Sequence, residues 1–145
     1  MLAIADADSA EHATSSANLV IVPVACAVPN RAPDAPKLSG AAAVGLLEGS
    51  RLAQICGTNI LHEEFFCNYE VNPQFRNRME PAGLKVSALG PHNEVRAVEL
   101  PRHAFFIATL FQPQLTSEAT STPHPVILAY LKSAAAQRGE SASAD

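Results

Sequence analysis

The chain contains no tryptophan, and aromatic side chains make up only 6% of its 145 residues. Large aromatic anchors are therefore scarce. Because much of the 48% apolar content is alanine, a core has to be built from Val, Ile, Leu and the six Phe. Basic residues are also few: ten Lys and Arg against fourteen Asp and Glu leave a formal charge of −4. That balance argues against a nucleic-acid surface, which needs a basic patch. No apolar run approaches the length of a bilayer span, so no membrane association is expected. Met1 to Asp8 has neither a basic flank nor a long apolar stretch, so it does not read as a signal peptide. The chain is expected to be cytoplasmic.

Cysteine is sparse as well. An odd count of three (Cys26, Cys56 and Cys67) with no C-x-x-C argues against a disulfide framework. Cys56, His62 and Cys67 fit no common zinc spacing, and no cofactor or metal is expected.

Short β-branched runs and turn signals are present throughout. Residues 1–18 read as the end of a helix followed by a loop, and Leu19–Val24 reads as a strand. Ala27–Gly40, with Pro29, Pro33 and Pro36, reads as an irregular surface excursion. Ala41–Leu47 is a candidate strand, and Ser50 is placed to cap a helical turn through Ile55. After the turn Gly57–Asn59, the segment Ile60–Val71 is expected to be extended. Asn72-Pro73 is a helix start with its cap and a first-turn proline, and Pro81 and Gly83 end that helix. Strands follow at Leu84–Leu89 and Glu94–Leu100, separated by a turn over Gly90–Asn93. Ala104–Phe111 is almost wholly apolar and is read as a central strand buried on both faces. A last helix is expected over Pro125–Gln137, with a disordered polar tail at 139–145. The tally gives one partial α/β domain over 1–138. It has too few helices to cover both faces of a sheet, which points to an N-terminal part that is missing upstream or to cover supplied by a partner.

Three stretches are specific. Tyr69-Glu70-Val71-Asn72-Pro73 resembles the Y-E-V-N segment of the CTP synthase glutaminase domain. Val98-Glu99-Leu100-Pro101-Arg102-His103-Ala104-Phe105-Phe106-Ile107-Ala108-Thr109 resembles that family's V-E-L-x-x-H-P-F-F-V-A-T. Leu110-Phe111-Gln112-Pro113-Gln114-Leu115, with His124-Pro125 beyond it, resembles Q-F-H-P-E-F…H-P. Met1 to Glu11 resembles the V-L-G-L-x-D-A-x-S-x-E that follows the nucleophile helix. The likeness is weak from Asn18 to Gly57. Within the family the chain resembles small stand-alone proteins related to the CTP synthase C-terminal region. The implied fold is the C-terminal part of a class I glutamine amidotransferase domain, a flavodoxin-like three-layer α/β unit with a mixed sheet.

The resemblance also implies a chemistry. A Cys–His–Glu triad attacks the glutamine amide through a thiolate; the imidazole moves the proton, and the Glu orients the imidazole. Here the His position is Gln112 and the Glu position is Gln114. A carboxamide does not titrate near neutral pH, so Gln112 is no general base and Gln114 carries no charge. The nucleophile elbow would lie upstream of Met1. The family's R-H-R before Y-E-V-N is Phe66-Cys67-Asn68, which leaves Cys67, Asn68 and Tyr69 as candidate substrate contacts without the family arginine. The first reading is a degenerate amidotransferase-like domain that binds a glutamine-like small molecule or a protein partner without turnover. The second is a fragment of a glutamine-hydrolysing enzyme whose nucleophile lies upstream. The third is an altered thiol enzyme using Cys67. His103 is expected in a structural turn and His124 as a capping or surface residue, while Glu63-Glu64 is read as a solvated face. A sheet cut through its middle exposes an edge, so self-association is expected.

Overall fold

A computed structural model describes residues 4–12, 15–25, 36–120 and 122–142. Most of the proline-rich excursion expected over Ala27–Gly40, together with Cys26, lies outside them.

Two sheets carry the structure. The smaller has three strands, β1 (Ala7–Ser9), β2 (Asn18–Pro23) and β5 (Tyr69–Val71), in the order β1-β2-β5. β1 runs parallel to β2, and β5 runs antiparallel to it. Within the segment read as a helix end and loop, Ala7–Ser9 form a strand instead: alanine is a good helix former, but pairing with β2 overrides its local preference.

The larger sheet has five antiparallel strands in the order β4-β3-β6-β7-β8, built from β3 (Leu38–Leu46), β4 (Ile60–Cys67), β6 (Lys85–Leu89), β7 (Val95–Glu99) and β8 (Ile107–Thr109). β3 and β4 pair over a long register from Leu38↔Cys67 to Gly45↔Ile60. β3 begins at Leu38, so the last residues of the expected excursion are already strand. The extended segment Ile60–Val71 is divided at Asn68, where the chain leaves the larger sheet and enters the smaller.

Between β3 and β4 lies helix α1 (Arg51–Cys56), capped as the sequence suggests. The Ser50 hydroxyl accepts from Ala53 N–H at 3.1 Å. Glu99, almost wholly buried, adds a second cap: its two carboxylate oxygens accept from Arg51 N–H at 3.0 Å and Leu52 N–H at 3.2 Å. A carboxylate at a helix start meets both the orphan donors and the positive end of the helix dipole. Gly57, at φ 65°, closes the helix by donating to Ala53 C=O, in a left-handed conformation that glycine adopts without strain.

Asn72 caps a 3₁₀ turn at Pro73–Phe75 that continues into α2 (Arg76–Met79) and a second 3₁₀ turn at Glu80–Ala82. The single helix expected there is thus a short α segment between tighter turns. Two further helices close the fold: α3 (Pro113–Thr120) and α4 (Pro125–Ala142). α3 was not expected, and α4 continues through most of the segment read as a tail. Residues 143–145 lie outside the described ones. No helix among the described residues is long and apolar enough to cross a membrane.

The expectation for Ala104–Phe111 is corrected. Only Ile107–Thr109 is strand, and β8 lies at the edge of the sheet rather than its centre. Phe106 and Ala108 are exposed, whereas Phe111 turns inward and packs edge-on against Phe65 with ring centroids 6.3 Å apart. The main core gathers Val44, Leu46, Leu52, Phe65, Ala88 and Phe111 between the larger sheet and helices α1 and α4. Leu52 has no exposed surface. Leu52→Ala is expected to lower unfolding free energy by about 2–5 kcal/mol, as a buried leucine truncation does. Urea denaturation followed by circular dichroism checks this; a loss below about 1 kcal/mol would show that the core does not close on α1.

Candidate functional site

The two sheets meet around a buried ion pair. Arg96 on β7 donates from Nη1 to Glu70 Oε2 on β5 at 3.0 Å and from Nη2 to Glu94 Oε1 at 2.9 Å. The other Glu70 oxygen accepts from Ala25 N–H at 2.9 Å. Arg96 also lies over the Phe65 ring, 5.6 Å from its centroid. Burial pushes the Glu94 carboxyl upward, but hydrogen bonds from its own and the His92 backbone N–H, helped by Arg96, hold it below the ordinary carboxylate range. Gly90 makes room for this group: a Cβ there would stand 2.5 Å from Glu94 Oε2 and 2.9 Å from Arg96 Nε.

Above this pair opens a cavity of about 560 Å³. Cys67, Asn68 and Tyr69 all line it, so the structure brings the three candidate contacts together. The Cys67 thiol donates its proton to Leu110 C=O at 3.2 Å. Asn68 serves the crossover between the sheets: its side-chain Oδ1 accepts from Lys37 N–H at 3.1 Å, and its carbonyl accepts from Val24 N–H at 2.8 Å. Sequence reasoning quoted Glu70 within a motif but gave neither it nor Arg96 a role. The available signal was an arginine between Val95 and Ala97 on an apolar strand, where a cation requires a buried carboxylate.

Gln112 and Gln114 do not line this cavity. Gln112 stands at the strand-to-helix junction, where its N–H donates to Glu64 C=O at 2.9 Å and its carbonyl accepts from Leu115 N–H at 3.0 Å. Gln114 is exposed in the first turn of α3. Pro113, between the two, starts that helix.

A second buried polar group corrects the reading of Glu63 as part of a solvated face. Glu63 and His124 are both almost wholly buried, so of the two roles expected for His124 the surface one falls away. His124 Nε2 and Glu63 Oε1 are 3.0 Å apart, and Thr116 Oγ1 donates to Glu63 Oε2 at 2.7 Å. His124 Nδ1 accepts from Val126 N–H at 3.2 Å, so the ring proton sits on Nε2, facing Glu63. The capping role read for His124 does hold, because this bond serves the first turn of α4. His103 occupies a turn as expected, with its Nδ1 accepting from Phe105 N–H at 3.2 Å. Among the described residues no group of three or more His, Cys, Asp or Glu is arranged to hold a metal.

The residues and their arrangement can be set beside known proteins. No family model matches the chain. It superposes on the glutaminase domain of Trypanosoma brucei CTPS, solved with bound acivicin, with a TM-score of 0.78 and 30% identity over 92% of this chain and 52% of that one. The fold is therefore that of a class I glutamine amidotransferase domain. Within that class the likeness is to CTP synthases. The chain is 37% identical to CTP synthase of Azospirillum brasilense over 92 residues, 63% of this chain and 17% of that protein. It is 44% identical to CTP synthase of Helicobacter pylori over 66 residues, 46% of this chain and 12% of that protein. Sequence and structure together support a CTP synthase-type glutamine amidotransferase domain. The chain spans about half the length of the matched glutaminase domain and less than a fifth of the curated relatives.

One reactivity follows from the site's surroundings. Cys56, at the end of α1, has its thiol pushed up from 9.0 to about 11 by burial and then by the Glu63 charge. A raised thiol pKa means less thiolate at neutral pH, and so slow alkylation. Alkylation of native protein, read peptide by peptide, is expected to rise at Cys56 with a midpoint near pH 11. A midpoint at the ordinary thiol value would show that neither burial nor Glu63 acts on the Cys56 thiol.

Proposed function

We propose that this domain binds without hydrolysing glutamine by triad chemistry. The observation that carries the reading is the pair Gln112 and Gln114, standing where the family's H-P-E supplies base and orienting acid. Amide hydrolysis by a thiol requires a group that takes the thiol proton and returns it to the leaving ammonia. Neither carboxamide can do so. Glu64, whose carbonyl holds the Gln112 backbone, lies next to this junction, but Gln114 itself faces solvent. The buried His124 does not replace the missing base, because Val126 N–H and Glu63 engage both of its ring nitrogens. Cys67 is a poor nucleophile in this setting, since its thiol proton is engaged by Leu110 C=O and no cation stands in hydrogen-bond contact with the sulfur among the described residues. The binding role falls to the cavity beside Cys67, Asn68 and Tyr69.

A glutaminase assay tests this. The chain, and a version carrying any in-frame segment upstream of it, are expected to release no ammonia from glutamine above a protein-free blank. A CTP synthase glutaminase domain serves as the positive control. Release that requires the folded protein would contradict the proposal and show that another base acts at Gln112.

A further inference from the structure

The cavity beside Cys67–Tyr69 has an unusual division of charge. Among the described residues its charged lining groups are Glu11, Glu70 and Arg96. Glu11 is exposed at the rim. Glu70 and Arg96 pair with each other, Glu70 also accepts from Ala25 N–H, and Arg96 also donates to Glu94. The arginine charge in the floor is therefore already balanced by two carboxylates. Much of the rest of the wall is apolar, formed by residues such as Ile21, Val71, Met79, Leu84, Ala97 and Ala108.

That division selects against a zwitterion. An amino acid entering the cavity would give up the hydration of a carboxylate and an ammonium, and the floor holds no unpaired charge to replace it. Its carboxylate would meet an arginine already neutralised by Glu70 and Glu94, and so would add a third negative charge to that group. An uncharged ligand meets neither obstacle and gains from burying apolar surface. The volume, about 560 Å³, lies within the range of small-molecule sites. Phe66, 62% exposed, and Tyr69 provide aromatic surface among the lining residues. The Asn68 carboxamide, with its oxygen already accepting from Lys37 N–H, offers its amide N–H₂ group as a donor.

We infer that this cavity takes an uncharged, predominantly apolar ligand with a planar ring and a hydrogen-bond acceptor, rather than an amino acid. The inference rests on the binding role proposed above and names the class of ligand for the same site.

The test uses N-phenylnaphthylamine, a neutral aromatic fluorophore, with the full chain. Saturable fluorescence enhancement is expected, and a large excess of glutamine should leave it unchanged. Ala108, exposed on the cavity wall, can be enlarged without disturbing the core; Ala108→Trp is expected to weaken binding at least tenfold while the circular dichroism and melting profile match the parent. Should that variant fold poorly, the competition experiment on the parent decides the matter: unlabelled naphthalene displaces the probe and glutamine does not. Equal binding by a folded Ala108→Trp, or displacement by glutamine, would overturn the inference. Ammonia release reports separately on the absence of triad chemistry, so the two readings fail independently.

Discussion

The ion pair between Arg96 and Glu70 joins the two sheets of this domain. Arg96 belongs to β7 of the larger sheet and Glu70 to β5 of the smaller, and their atoms meet at 3.0 Å with almost no exposure to solvent. Burying either charge alone is strongly unfavourable, because hydration is lost without replacement. Together, with Glu94 and Ala25 N–H as further partners, they form one network. Gly90 is the sequence's accommodation to it, since any side chain there would press on Glu94 and Arg96. The cavity rests on this network, and its floor derives its lack of unpaired charge from it.

The same use of buried charge recurs twice. Glu99 spends both oxygens on the start of α1, and Glu63 holds Thr116 and His124, tying β4 to α3 and α4. Each carboxylate is surrounded by donors, which is how a buried charge is tolerated in a protein interior. The ionisable groups of this domain thus serve its architecture. At Gln112 and Gln114, where catalysis by the resembled enzymes calls for a base and an acid, the side chains are neutral. This contrast between occupied structural carboxylates and uncharged catalytic positions supports the proposal of binding without turnover.

Much of the local structure was legible. β-Branched residues in Leu19–Val24 and the short runs Leu84–Leu89 and Glu94–Leu100 marked strands, while Ser50 and Asn72-Pro73 marked helix starts through capping chemistry that acts over three or four residues. The misreadings have physical causes. Ala104–Phe111 is apolar because Phe111 enters the core and Ile107 packs against it, not because the whole run is a strand covered on both sides. Composition shows that burial occurs but not which element provides it. Glu63 and His124 lie 61 positions apart, so no spacing rule links them. Without its partner each reads as a surface residue. Helix α3 was hidden by its proline: Pro113 sits within an apolar-to-polar transition that suggests a loop, although proline is well suited to a first helical turn. The candidate site was partly visible. Cys67, Asn68 and Tyr69 do share a cavity, but the charged floor beneath them depends on β5 and β7 coming together, a long-range event.

The most direct test is a double-mutant cycle at the junction of the sheets. Urea denaturation would compare the parent with Arg96→Met, Glu70→Leu and the double variant. Arg96→Met should cost about 3–5 kcal/mol, since it strands buried carboxylates, and Glu70→Leu should cost less, since Arg96 keeps Glu94, while the double change should cost less than the sum by at least about 1 kcal/mol. Additive losses, within about 0.5 kcal/mol, would mean that Arg96 and Glu70 do not depend on each other, and that the two sheets and the cavity between them are held by something else.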